Sequence, residues 1–358
     1  MRARLTVFAG RAVGVALIVL VLYLVGWQDR VTDTSGREHV GRIELVDETV
    51  ARIRVDDVVQ TVPIENAGAV RYGLGGAFAT LGKNAGLAVA GLAIHALALL
   101  VIALRWGILL HGANLSLPLR SVIRLSWIGH FLGQVVPGGV VGGDVIKSLY
   151  VAHEHPEATR TRALVVAFAD RLIPLLVLCA IACVALLVGP EGLPVDEARV
   201  VVIVLLVCGV LGGVIFYSAT LQRVLRLHHL TRRLPFPGAV AEVRHAMHLY
   251  RGRPGHVALV AVISFVGHTL VLTAFWFYGR ALGAPMGAAT MLVGIPLAQL
   301  LAAVPGLPGG WGVGDFAFLF FLPATGVPGG LAVALSFTYR IAQTLLGLPG
   351  GLMLARRI

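Results

Sequence analysis

Pro137-Gly138-Gly139-Val140-Val141-Gly142-Gly143-Asp144 and Pro308-Gly309-Gly310-Trp311-Gly312-Val313-Gly314-Asp315 carry one pattern, P-G-G-x-x-x-G-D. The first copy breaks the uncharged stretch 125–143, and the second breaks the stretch 281–314. Proline interrupts a helix, and glycine allows backbone angles closed to other residues. A shared PGG means little in a chain with 44 glycines, and Pro328-Gly329-Gly330 and Pro349-Gly350-Gly351 repeat it elsewhere. The aspartate at the same offset after a glycine is what ties the two copies together.

The chain around these breaks is too apolar for a water-facing protein. It is 57% hydrophobic and 13% charged, whereas a soluble domain carries about 25% charged residues. The runs 84–104, 200–220, 254–279 and 281–314 are uncharged. Each reaches the ~20 residues that a helix needs to cross ~30 Å of hydrocarbon. Residues 12–28 are shorter and follow Arg2, Arg4 and Arg11, as in a signal peptide. No small-x-small cleavage site follows, so they read as an uncleaved anchor.

The net charge of +11 is spread over arginines between the apolar runs. That is the positive-inside pattern of a membrane protein and speaks against a nucleic-acid partner. Residues 221–255 hold Arg223, Arg226, Arg232, Arg233, Arg244, Arg251 and Arg253 against Glu242 alone, and so mark the cytoplasm. The loop from Glu191 to Glu197 has three acids and no Lys or Arg, and lies outside. Arg105, Arg120 and Arg124 mark a cytoplasmic end for the run 84–104, and Arg356-Arg357 a cytoplasmic C-terminus.

The helix before the first break has about 12 residues, or roughly 18 Å, too little to cross. The expected fold class is therefore an all-α polytopic membrane protein with about six full transmembrane helices and two oppositely oriented re-entrant hairpins, an inverted repeat. Eight complete spans with both termini inside are the rival. The expected location is the bacterial inner membrane.

Residues 29–79 change character. Residues 41–46 and 49–55 alternate apolar and polar side chains, 58–62 continue the pattern, and Asp56-Asp57 supply a turn. A small extracytoplasmic antiparallel β module of four strands is expected, packed on the membrane domain or on an envelope partner. The domains are then the anchor 1–28, the module 29–79 and the membrane domain 80–358.

Several residues could carry chemistry. Half-helices that begin near Asp144 and Asp315 point free N–H groups and a positive dipole end into the glycine loops, which suits an anion such as a lipid phosphate. The competing role for each aspartate is a plain N-cap. Arg340 lies mid-span on a stripe with Ser336, Gln343 and Thr344. At that depth it needs a partner or a wet cavity. Either it pairs with Asp315 or Asp144 as a lock, or it holds a phosphate.

Asp170 and Arg171 sit two turns deep if their helix begins near Ala163, and at the interface if it begins at Leu172. Lys147 could meet lipid head groups or snorkel to the surface. His130 and Gln134 share a face of the first hairpin. His95 and His268 are lone histidines suited to helix–helix hydrogen bonds or to a proton relay. Cys179, Cys183 and Cys208 lie in apolar runs without companions at metal-ligand spacing, and no metal site or cofactor is expected. There is no P-loop, GxSxG, HExxH or dinucleotide fingerprint, so no enzyme class is indicated.

The chain resembles the integral membrane region of bacterial lysylphosphatidylglycerol synthase/flippase proteins and their stand-alone relatives. The resemblance rests on Pro137-Gly138-Gly139 through Gly143, Asp144 and Lys147, and on Ala169-Asp170-Arg171-Leu172. It rests also on Pro308-Gly309-Gly310 through Gly314, and on Tyr339-Arg340 followed by Leu348-Pro349-Gly350. It covers roughly residues 84–354. It implies a flippase-like role, moving a polar head group between leaflets. The first hypothesis is a flippase for an anionic phospholipid or lipid-linked glycan, with Asp144, Asp315 and Arg340 lining the path and Lys147 at its cytoplasmic mouth. The large aminoacyl-transfer domain of the full-length synthases has no counterpart here, so lysyl transfer is not expected. Asp315 stands where many relatives carry Glu, and the β module lies outside the family core. The alternatives are a lipid-modifying transferase and a scaffold acting through the β module. Homo-oligomerisation stays open.

Overall fold

A computed structural model describes residues 15–47, 49–56, 58–66, 69–136, 139–154, 160–188, 200, 203–204, 206–207, 211, 252–302 and 310–356. The loop residues Pro137, Gly138, Pro308 and Gly309, Cys208, most of the 200–220 run and all of the 221–255 basic segment before Gly252 lie outside this set. Among the described residues four helices are long and apolar enough to cross a membrane: α3 (Ala85–Gly112), α6 (Arg160–Val188), α7 (Pro254–Ala281) and α10 (Gly329–Ala355). The chain divides into two compact units, each with one broken hairpin.

The first unit joins residues up to His95 with Leu272–Gln343. It begins with helix α1 (Val15–Val25), followed by strands β1 (Asp29–Thr32), β2 (Glu38–Val46), β3 (Val50–Val55), β4 (Val58–Pro63) and β5 (Val70–Arg71). They form one antiparallel sheet in the order β4-β3-β2-β1-β5. Alternation sends Val31, Ala51, Ile53, Val62 and Val70 into one core with Ile64. The sheet thus has five strands rather than four. β5 is only two residues long and β1 reads DRVT, so neither shows the alternation that marks β2 and β3.

One buried carboxylate ties the sheet to the helix after it. Asp29 accepts hydrogen bonds from the amides of Ile43 and Gly73. A Cβ on Gly76, in helix α2 (Leu74–Lys83), would fall 2.3 Å from that carboxylate, so glycine is what lets the helix approach. Burial raises the Asp29 pKa above the usual carboxylate range, against the two amides and Arg42. The sheet also packs on α10, where a Cβ on Gly330 would strike the carbonyl of Tyr72.

The hairpin of this unit consists of a π-helical turn (Thr290–Gly294) running into α8 (Ile295–Ala302), and of α9 (Val313–Phe321). Gly314 faces Ala302 while Gly294 faces Leu322, so the two arms run antiparallel. Gly310 and Gly312, at φ 74° and 84°, make the sharp turn into α9.

The second unit joins Ala96–Gly189 with residues 195–271 and 344–358. Its hairpin is α4 (Leu119–Val135) followed by α5 (Gly139–Glu154). Gly143 faces Gly133 and Lys147 faces Gly129, again antiparallel. α4 has 17 residues, not the expected 12, because it starts right after Pro118 and takes Arg120 and Arg124 into its first turns. Proline at the N-cap sets the chain for helix without losing a hydrogen bond. Trp106, Leu109, Leu110, Leu115, Val122, Leu125, Val151 and Val166 make the apolar core. Lipid tails are as apolar as leucine, so close fit and polar contacts, rather than water exclusion, hold such helices together.

The two hairpins follow their preceding helices in the same way. α3 ends at Asn114 (φ 56°) with the amide of Leu115 bonded to the carbonyl of Leu110. α7 ends at Gly283 (φ 77°) with the amide of Ala284 bonded to the carbonyl of Gly279. Both are left-handed helix stops. Span, left-handed stop, broken hairpin and span therefore occur twice along the chain.

Candidate functional site

In the second unit α3, α5 and α6 bring five charges together. α6 starts at Arg160, so Asp170 and Arg171 lie about three turns, or roughly 16 Å, along it and not at its mouth. Pro174 lies on the same helix and cannot donate to the carbonyl four residues back, that of Asp170. Arg105 uses that freed acceptor: its Nη2 reaches the Asp170 carbonyl at 3.2 Å and the Oδ1 at 2.9 Å, and its Nε reaches Oδ1 at 3.0 Å. Lys147 Nζ lies 3.3 Å from Asp144 Oδ1, 3.5 Å from Asp170 Oδ2 and 4.1 Å from the centre of the Trp106 ring. Arg171 Nε donates to Asp144 Oδ2.

Arg105, Asp144, Lys147 and Asp170 are all buried, while the Arg171 side chain is 48% exposed. Lys147 therefore does not snorkel: two carboxylates and an indole face hold its ammonium inside. Asp144 is not an N-cap either, because α5 begins five residues earlier, at Gly139.

Sequence reasoning missed Arg105, which it took for a cytoplasmic marker. α3 runs on past it to Gly112, and the apolar residues after Trp106 were the available signal.

The first unit repeats the theme with fewer charges. Asp315 is fully buried and accepts from the amide of Gly312 at 2.8 Å, from Ser336 Oγ at 2.6 Å and from Arg340 Nε at 2.8 Å. It is not the expected N-cap, because Gly312 holds that place; Asp315 is the third residue of α9, bonds back to the Gly312 amide and pairs with Arg340. The guanidinium lies 5.6 Å from the Trp311 ring centre, and a Cβ on Gly310 or Gly314 would lie 3.0 or 1.8 Å from its Nη atoms. In each unit, then, the aspartate after the break pairs with an arginine on the next span, 27 residues on in one and 25 in the other.

The other expected positions are more ordinary. Gln343 Nε2 donates to the Tyr339 hydroxyl at 2.9 Å. The Tyr339 ring stacks on His95, whose Nδ1 lies 3.3 Å from the Tyr278 hydroxyl. His268 Nε2 donates to the Pro174 carbonyl at 2.9 Å, a helix–helix bond. His130 and Gln134 are half-buried on α4, where Gly347 of α10 packs against the His130 ring. Cys179 and Cys183 are buried thiols. Among the described residues no group of three or more His, Cys, Asp or Glu could hold a metal ion.

Comparison with known proteins identifies a membrane-protein family. A family model described as lysylphosphatidylglycerol synthase TM region matches residues 73–351, which include both clusters and begin just after β5. The UPF0104 membrane protein PH1989 of Pyrococcus horikoshii is 24% identical over 284 residues, covering 71% of this chain and 83% of that one. No solved structure matches. With both clusters and all four long apolar helices in or overlapping the matched range, the chain belongs to the family of the lysylphosphatidylglycerol synthase transmembrane region.

Proposed function

We propose that this chain moves the polar head group of an anionic or glycan-linked lipid between the leaflets of the bacterial inner membrane. The observation that carries this reading is the meeting of Arg105, Asp170 and Arg171, on helices of spanning length, with Asp144 and Lys147 of the first hairpin. A charge at the centre of a span costs at least about 2.5–3.5 kcal/mol on insertion scales, and such groups occur where they line a pathway or meet one another. Family membership supports a lipid as the cargo.

In this reading the two hairpins are re-entrant and enter from opposite sides. With the 200–220 run read from its sequence as a span, three spans would separate them, α6, that run and α7, and an odd number reverses direction. Non-helical backbone at membrane depth persists only where it is buried or borders a wet cavity. Each glycine loop would border such a cavity within its own unit, beside Asp144 and Arg171 of α6 in one and beside Asp315 and Arg340 of α10 in the other. Both termini would lie in the cytoplasm and the sheet outside.

The test is lipid movement by the purified full chain reconstituted in vesicles that contain acyl-labelled phosphatidylglycerol. With a membrane-impermeant reductant, bleaching should proceed beyond the outer-leaflet pool. Bleaching that stops where protein-free vesicles stop would refute the reading.

A further inference from the structure

The two aspartate–arginine pairs are built alike but are not balanced alike. In the first unit Asp315 and Arg340 cancel, the carboxylate is fully buried, and the guanidinium is walled by Trp311, Gly310 and Gly314. In the second unit three cations, Arg105, Lys147 and Arg171, face two anions, Asp144 and Asp170. Among the described residues one positive charge is left over.

The donors say where that charge is available. Arg105 spends its Nε and Nη2 on Asp170, and Lys147 is shared between both carboxylates and the Trp106 ring. Arg171 uses only Nε, toward Asp144, and no described residue accepts from its two Nη groups. Its side chain is half-exposed about 16 Å along a spanning helix. Hydrocarbon against that surface would be costly, so the exposed face belongs to water or to a ligand.

We propose that Arg171 is the ligand-binding guanidinium and that it takes a phosphodiester, while Arg340 holds its own hairpin in place. A diester carries one negative charge, which brings the cluster to neutrality. A monoester approaches two and would overshoot. The guanidinium edge offers paired N–H groups to two phosphate oxygens, a geometry an ammonium cannot copy. This assignment rests on the lipid-transport reading and names the chemistry of its site.

The experiment is binding to the whole purified protein in detergent, with phosphatidylglycerol, phosphatidic acid and inorganic phosphate as probes, measured by native mass spectrometry and competition. Phosphatidylglycerol should bind best. Arg171→Gln should weaken it about tenfold to a hundredfold, the range for charged hydrogen bonds lost from a shielded site. Arg171→Lys keeps the partner for Asp144, guards against misfolding, and should still weaken binding about tenfold, because one fork contact is lost. Wild-type affinity in both variants would overturn the proposal. So would tighter binding of phosphatidic acid, or inorganic phosphate bound as well as the lipid, which would make the ligand a soluble phosphate. Specific binding without lipid movement in vesicles would sink the transport reading and leave Arg171 as the site. Lipid movement with binding untouched by either variant would do the reverse.

Discussion

Gly143→Ala should loosen the first hairpin more than any other single methyl group added to it. Gly143 lies where α5 passes close to the backbone of α4. A Cβ there would fall 2.3 Å from the carbonyl oxygen of Gly129, 2.8 Å from the amide nitrogen of Gly133 and 3.1 Å from its Cα. Carbon atoms rest about 3.5–4 Å from such neighbours, so the arms must part by about 1 Å. The obstacles are backbone atoms, which no rotamer change can move aside. Overpacking of this kind costs about 1–3 kcal/mol. It also displaces Asp144, the next residue, from Lys147 and Arg171. The assay is denaturant unfolding of the detergent-solubilised protein, read beside two comparison variants. Gly129→Ala meets the Lys147 Cδ at 3.2 Å, an aliphatic stem that can shift, and should cost less than about 1 kcal/mol. Gly82→Ala meets nothing within 4 Å in α2 and should gain up to about 1 kcal/mol of helix propensity. Equal stabilities for Gly143→Ala and Gly129→Ala would refute the close backbone packing of α4 on α5.

Asp315→Asn should destabilise the first unit by about 3–5 kcal/mol, because Arg340 is left buried without its counter-charge; near wild-type unfolding would contradict the pairing. The β1–β2 turn should depend on acid. Asp33 accepts from the Ser35 hydroxyl, from His39 and from the amides of Arg37 and Ser35, and these hold its carboxyl well below the usual range. The turn is therefore fully supported above about pH 4 and loses that support as pH falls further toward the depressed pKa. Hydrogen exchange of the Ser35 and Arg37 amides, corrected for intrinsic rates, should lose protection in that window and not above it.

Some of this was legible in the sequence for clear physical reasons. The P-G-G-x-x-x-G-D pattern located both hairpins because proline and glycine break helices whatever surrounds them. Arg340 announced a partner because depth makes an unpaired guanidinium costly, and Asp315 was one of two candidates. β2 and β3 showed through their alternation. What stayed hidden depended on contacts between distant residues. Arg105 meets Asp170 across 65 positions and through a carbonyl that Pro174 frees, and no local pattern encodes that. Lys147 looked like a surface lysine because its burial needs Trp106 from α3 and Asp170 from α6. Arg171 could be placed only once α6 was known to begin at Arg160, since its depth follows from that boundary.

Water at Arg171 is the point on which the account turns, and labelling measures it. With Cys179, Cys183 and Cys208 replaced by serine or alanine, Arg171→Cys in membrane vesicles should react with a charged, membrane-impermeant thiol reagent. Labelling by lipid-soluble maleimide alone would place the side chain against hydrocarbon and contradict a wet path through the bilayer.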